Sequence, residues 1–131
     1  MRLPALLYII SLWATTTELS FAQVEAAWSP SQQQELGYVA EDQGVQQRRL
    51  VVRNRGTYSW QIVRGYTSCG CTQVELQQGQ VVRPGDSAQV VVRFDPMGKA
   101  GPFREVVTVQ LTDGESITNE TLTLTGEVRR S

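Results

Sequence analysis

Over most of the chain after residue 45, apolar and polar positions alternate with a period of two. This is the mark of strands that bury one face. From Gln46 to Asn54, Leu50 and Val52 fall on one side, while Arg49, Val51 and Arg53 fall on the other. Asn54-Arg55-Gly56 then turns the chain, and Tyr58 to Arg64 follows with Trp60 and Ile62 on its buried face. Gln73 to Leu76 and Gln80 to Val82 read as two short strands, followed by the strong turn Pro84-Gly85-Asp86. Ala88 to Phe94 alternates most clearly, with Val90, Val92 and Phe94 inward and Gln89, Val91 and Arg93 outward. Asp95 to Pro102 is a Pro/Gly loop. Phe103 to Leu111 places Val107, Val109 and Leu111 on one side, Thr112-Asp113-Gly114-Glu115 makes a hairpin turn, and Ile117 to Val128 closes the pattern through Leu122, Leu124 and Val128. Val24 to Trp28 and Leu36 to Val39 are weaker early strands. About seven or eight strands at this spacing predict an all-β, immunoglobulin-like β-sandwich.

The first residues follow a different pattern. Arg2 precedes an apolar run from Leu3 to Ala14, twelve residues long. As a helix that run spans about 18 Å, short of a hydrocarbon core of ~30 Å, so it reads as a cleavable signal peptide and not as a membrane anchor. Ser20-Phe21-Ala22 offers small residues at both positions that a signal peptidase needs, which places cleavage after Ala22. The expected division is a signal peptide over 1–22 and a single sandwich domain over 23–131. The mature chain is expected to be exported to the periplasm or secreted, soluble, and without an integral membrane segment.

Composition narrows the function. Lys and Arg total 12 against 13 acids, so the net charge of -1 lacks the basic excess of a nucleic-acid binder. No histidine occurs anywhere in the 131 residues. That removes the ordinary near-neutral general base, the Ser-His and Cys-His nucleophile pairs and imidazole metal ligands. The expectation is a non-enzymatic binding or structural module, with an envelope or secreted protein as partner.

The chemistry that remains is Cys69-Gly70-Cys71-Thr72. Export places both thiols in an oxidising compartment, which favours a disulfide. In an extended strand, positions i and i+2 lie about 6.6 Å apart, while disulfide-bonded Cβ atoms need ~3.5–4.5 Å, so a bond here demands a tight turn that Gly70 is expected to permit. A ring this small contributes roughly 1.6 kcal/mol at most, against about 4.7 for a hundred-residue loop. The pair is therefore a local clip, or the sulfurs act otherwise. Close thiolates without histidine suit Cu(I), which makes a Cu(I)-binding carrier with Cys69 and Cys71 as ligands one alternative; Zn would want four ligands where the motif offers two sulfurs. A thiol-disulfide redox protein is another alternative, although its usual Cys-x-x-Cys at a helix start is missing. A mixed disulfide with a partner is a third. Met97 suggests a further soft ligand, but counting alternating strands puts it at the opposite end of the sandwich from the cysteines.

Charge is unevenly placed. Five arginines and no acid lie between Gln43 and Val74, and four acids and no base between Val106 and Glu127. Arg49, Arg53 and Arg55 share an outward face that fits an anionic surface, such as lipopolysaccharide or an acidic protein, unless cross-strand carboxylates neutralise them. Asn119-Glu120-Thr121 has the form of a glycosylation sequon without the context for one, and Glu41-Asp42 reads as a turn.

Asn54-x-Gly56, Ser68-Cys69-Gly70-Cys71-Thr72, Pro84-Gly85-Asp86, Phe94-Asp95, Gly101-x-Phe103 and Leu122-x-Leu124-x-Gly126-x-Val128 together resemble a bacterial secreted domain-of-unknown-function family marked by Cys-Gly-Cys-Thr and related to Hydin-type immunoglobulin-like domains. The resemblance covers roughly residues 36–128. It implies a sandwich of seven or eight strands, export, and no established activity. Leu50, where the family favours an aromatic, and Gly65, where it favours a branched apolar residue, depart from it as differences of packing.

Overall fold

The computed structural model describes residues 24–130. The expected signal segment and its cleavage site lie outside the described residues. Nine strands form: β1 (Ala26–Ser29), β2 (Gln33–Ala40), β3 (Gln46–Asn54), β4 (Trp60–Thr67), β5 (Thr72–Glu75), β6 (Val81–Val82), β7 (Ser87–Phe94), β8 (Gly101–Thr112) and β9 (Ile117–Arg129). They lie in a four-stranded sheet of order β1-β3-β7-β5 and a five-stranded sheet of order β2-β9-β8-β4-β6. The described residues are thus all-β, in the sandwich that the alternation predicts.

Nine strands make only seven traverses, because two traverses are shared between the sheets. β1 runs antiparallel to β3, and after the cis Ser29–Pro30 peptide the same pass continues as β2, parallel to β9. β5 pairs antiparallel with β7, and the same pass then crosses to pair β6 antiparallel with β4. Each split pass borders one side of the sandwich and ties the two sheets together there. A pass that changes partners midway keeps its backbone groups hydrogen-bonded along both halves, which a buried edge requires.

The sheets close on the alternating residues. Leu50, Val52, Trp60, Ile62, Val90, Val92, Phe94, Val107, Val109, Leu111, Leu122 and Leu124 are each at most 1% exposed and form one continuous core. Val91 points outward as its phase predicts, yet it too is buried. It sits on a central strand between Arg49 of β3 and Glu75 of β5, whose longer side chains flank it. Leu50 packs fully inside without an aromatic ring, and the space beside Gly65 is filled by Leu76 and Val74: a Cβ on Gly65 would stand 2.8 Å from Leu76 Cδ2.

The two ends of the sandwich are sealed differently. At one end, buried Asn54 donates through Nδ2 to the carbonyls of Tyr58 (2.9 Å) and Val82 (2.8 Å) and accepts at Oδ1 from the Gly56 amide (2.9 Å). Its own amide donates to Asp86 O and its carbonyl accepts from Gly85 N, so one side chain and its backbone hold the β3–β4 and β6–β7 connections in place. At the other end, the Phe94 and Phe103 rings stack across the sheets with centroids 4.3 Å apart.

Two substitutions probe this packing. Asn54→Ala removes the side-chain partner of the buried Val82 carbonyl, the part-buried Tyr58 carbonyl and the Gly56 amide, and chemical denaturation is expected to show a loss of about 2–4 kcal/mol. Gly126 faces Phe103 and the parallel strand β2, where a Cβ would lie 2.6 Å from Gly37 O and 2.8 Å from Phe103 Cζ. Gly126→Ala is expected to cost about 1–3 kcal/mol through overpacking, an effect absent if the midpoint of unfolding is unchanged.

Candidate functional site

The end opposite Asn54 gathers the loops that follow β2, β4 and β7. β4 delivers Thr67 to this end, and residues 68–71 turn the chain into β5. Backbone contacts hold the turn on three sides. Ser68 N donates to Val106 O of β8 (3.1 Å), Thr72 N to Cys69 O (3.2 Å), and Asp95 N to Cys71 O (2.9 Å). The Thr67 hydroxyl lies 2.9 Å from both Cys69 O and Thr72 O and shares its proton between them. Within this frame the sulfurs of Cys69 and Cys71 meet as a close pair, with Cα atoms 5.3 Å apart. The Cys71 amide also points at Cys69 Sγ, 3.2 Å away.

Gly70 does not play the part expected of it. Its backbone lies outside the left-handed region, and a Cβ there would meet nothing within 4 Å. The close approach of the sulfurs comes from the turn that Thr67, Val106 and Asp95 fix, and not from a conformation reserved for glycine.

A cleft of about 340 Å³ opens beside the turn, lined by Val45, Gly70, Cys71, Gln73, Arg93, Asp95 and Met97. Met97 thus stands at the same end as the cysteines, contrary to the strand count. The count treated Gln73–Leu76 and Gln80–Val82 as two traverses in opposite directions. They are halves of one traverse, so every later loop changes ends. Asp95 Oδ1 accepts from Met97 N (3.0 Å), and Gly98 N donates to Glu41 Oε2 (3.0 Å), which ties the loop after β7 to the one after β2. Val45 and Met97 are nonetheless 55% and 65% exposed.

Glu105 is the residue that the sequence reading passed over. It occupies an inward position of β8, in phase with Phe103, Val107, Val109 and Leu111, and is only 8% exposed. One of its carboxylate oxygens and both cysteine sulfurs lie within 4.8 Å of one another. The signal was present in the chain as an acid in the apolar phase of a strand, a position where a charge needs a specific partner.

Arg49 and Arg53 are exposed on the outer face of β3, and Arg55 is exposed in the following loop. Their β7 neighbours are not carboxylates: Arg49 stands opposite Val91 and Arg53 opposite Ser87. On the same face, Arg93 of β7 is ion-paired with Glu75 of β5. No helix among the described residues is long and apolar enough to cross a membrane.

Solved structures with this arrangement define the class. A protein of unknown function from Porphyromonas gingivalis W83 has a TM-score of 0.64 at 15% identity, over 95% of this chain and 53% of that one. The human CEP192 PapD-like domain 7 has a TM-score of 0.62 at 10% identity, over 94% of this chain and 99% of that one. VesB protease of Vibrio cholerae has a TM-score of 0.62 at 14% identity, over 80% of this chain but only 32% of the protease. The chain therefore spans about half the length of the Porphyromonas protein. Such identities speak for the fold and carry no activity with them. The described domain is an immunoglobulin-like sandwich, a fold it shares with that PapD-like domain. Within that class the chain belongs to the DUF1573 family, proteins of unknown function, whose pattern it matches over residues 28–128. No curated protein matches it.

If the turn is held by its surroundings and not by glycine, Gly70→Ala should change stability by no more than about 0.5 kcal/mol. A loss as large as that expected for Gly126→Ala would show that Gly70 is conformationally required.

Proposed function

We propose that this chain is an exported, non-catalytic module that binds another envelope or secreted protein through the loops at the cysteine end. The observation that carries the reading is the convergence of Val45 and Met97, two exposed apolar side chains, on the cleft beside Cys71. Exposed apolar groups around a concave surface favour contact with a protein partner. Strand-end loops of a sandwich serve this purpose well, because the sheets hold them rigid and leave their tips free to vary.

In this reading Cys69 and Cys71 form a disulfide that stiffens the contact loop. A three-residue ring contributes roughly 1.6 kcal/mol at most to the whole fold. Its value lies in presenting one loop shape to the partner, which lowers the ordering cost of binding. The arginine face of β3 supplies charge that steers an acidic partner toward the module without fixing where it docks.

A photo-crosslinking side chain placed at Met97, and separately at Ile117 on the opposite end, tests the contact in producing cells. A discrete adduct from position 97 that weakens with Val45→Asp supports the reading, whereas equal labelling from both positions argues against it. Intact mass of the exported protein, with thiols titrated after denaturation without reductant, checks the rest. A chain beginning at Gln23 with no free thiol is expected; two free thiols would remove the disulfide.

A further inference from the structure

Glu105 presents a problem that neither the fold nor a contact role explains. Its side chain is more than nine-tenths buried, and among the described residues it has no hydrogen-bond or ion-pair partner. An acid in the inward phase of a strand calls for a specific partner, and such groups in proteins are commonly paired or bind metal. Here the groups beside it are two sulfurs, with a carboxylate oxygen and both Sγ atoms inside 4.8 Å. While the sulfurs are joined they offer neither a charge nor a strong donor. Once separated into thiolates they complete a set of three anionic ligands.

We infer that Cys69, Cys71 and Glu105 form a zinc site that exists only when the two cysteines are reduced. The donor set decides the metal. Two thiolates and one carboxylate match the Zn–S distance of about 2.3 Å and the Zn–O distance of about 2.0–2.2 Å, with the fourth tetrahedral position left to water. Cu(I) gains little from a hard carboxylate, so a copper site would not account for Glu105. Tetrahedral ligands at those bond lengths stand about 3.3–3.8 Å from one another, close to the present spread, so the sulfurs need only part by one to two ångströms.

The chemistry balances with a dithiol as reductant. The Cys69–Cys71 bond takes up two electrons and two protons and becomes two thiols, while the dithiol loses the same and becomes a disulfide. Zinc then displaces both thiol protons, and the Glu105 carboxylate provides the third protein ligand. This site is independent of the contact role proposed above: that role needs Val45 and Met97, this one needs Glu105 and free thiols, and failure of one leaves the other standing.

The test is anaerobic zinc titration of the exported protein, after reduction by a dithiol and removal of the reductant, against a chromophoric chelator. One zinc per reduced chain and none per oxidised chain are expected. Glu105→Gln, with nearly the same shape, should lower affinity about 100-fold or more, since losing even a group that only orients a ligand costs ~10–100-fold. The X-ray absorption of the zinc-loaded wild type gives a reading that survives if the variant misfolds; two sulfurs and at least two light atoms around zinc are expected. The inference falls if the reduced, folded protein takes up no zinc, if Glu105→Gln binds as tightly as wild type, if zinc is held equally after oxidation, or if the absorption shell contains fewer than two sulfurs.

Discussion

The crossing of residues 72–82 from one sheet to the other determines which parts of this molecule meet. β5 hydrogen-bonds to β7, β6 to β4, and the direction of the chain does not change between them. Without that crossing, the loop after β7 would emerge beside Asn54 and the cleft would lose Asp95 and Met97. The first traverse does the same at the opposite border, and its crossing lets β2 lie parallel to β9 in a molecule whose other ladders are antiparallel. Two divided strands therefore fix both the closure of the sandwich and the company that each loop keeps.

The two ends that result have different chemistry. Around Asn54, the carboxamide and its hydrogen-bond partners make the end a joint between connections that require each other. Around Cys69 and Cys71, the aromatic stack closes the core, and above it lie sulfurs, a buried acid and exposed apolar side chains.

The legible and illegible parts of this sequence divide along physical lines. The alternation of Leu50 with Val52, and of Val90 with Val92 and Phe94, sets which face is buried, since a pleated strand repeats every two residues. The turns at Asn54-Arg55-Gly56 and Pro84-Gly85-Asp86 were equally plain from their residue types. The end at which Met97 emerges was not, because Gln77–Gln80 reads as a reversal although it is a crossing between sheets, and no local preference separates the two. Gly70 misled for a related reason: a glycine between two cysteines suggests a special backbone, whereas hydrogen bonds from neighbouring Thr67 and from Asp95, far along the chain, shape that turn. Glu105 stood in the inward phase of β8 and was readable, but its meaning depends on Cys69 and Cys71, some 35 residues earlier.

The smallness of the ring that a Cys69–Cys71 bond closes, in the proposed reading, has a consequence for where such a protein can operate. A cross-link between remote strands makes a fold hostage to the electron potential around it. A bond between Cys69 and Cys71 would span a single tripeptide, while the interior is secured by aliphatic and aromatic side chains. Opening such a link would alter the shape of one rim and leave the body of the sandwich intact, so the architecture would hold in surroundings that differ widely in reducing power.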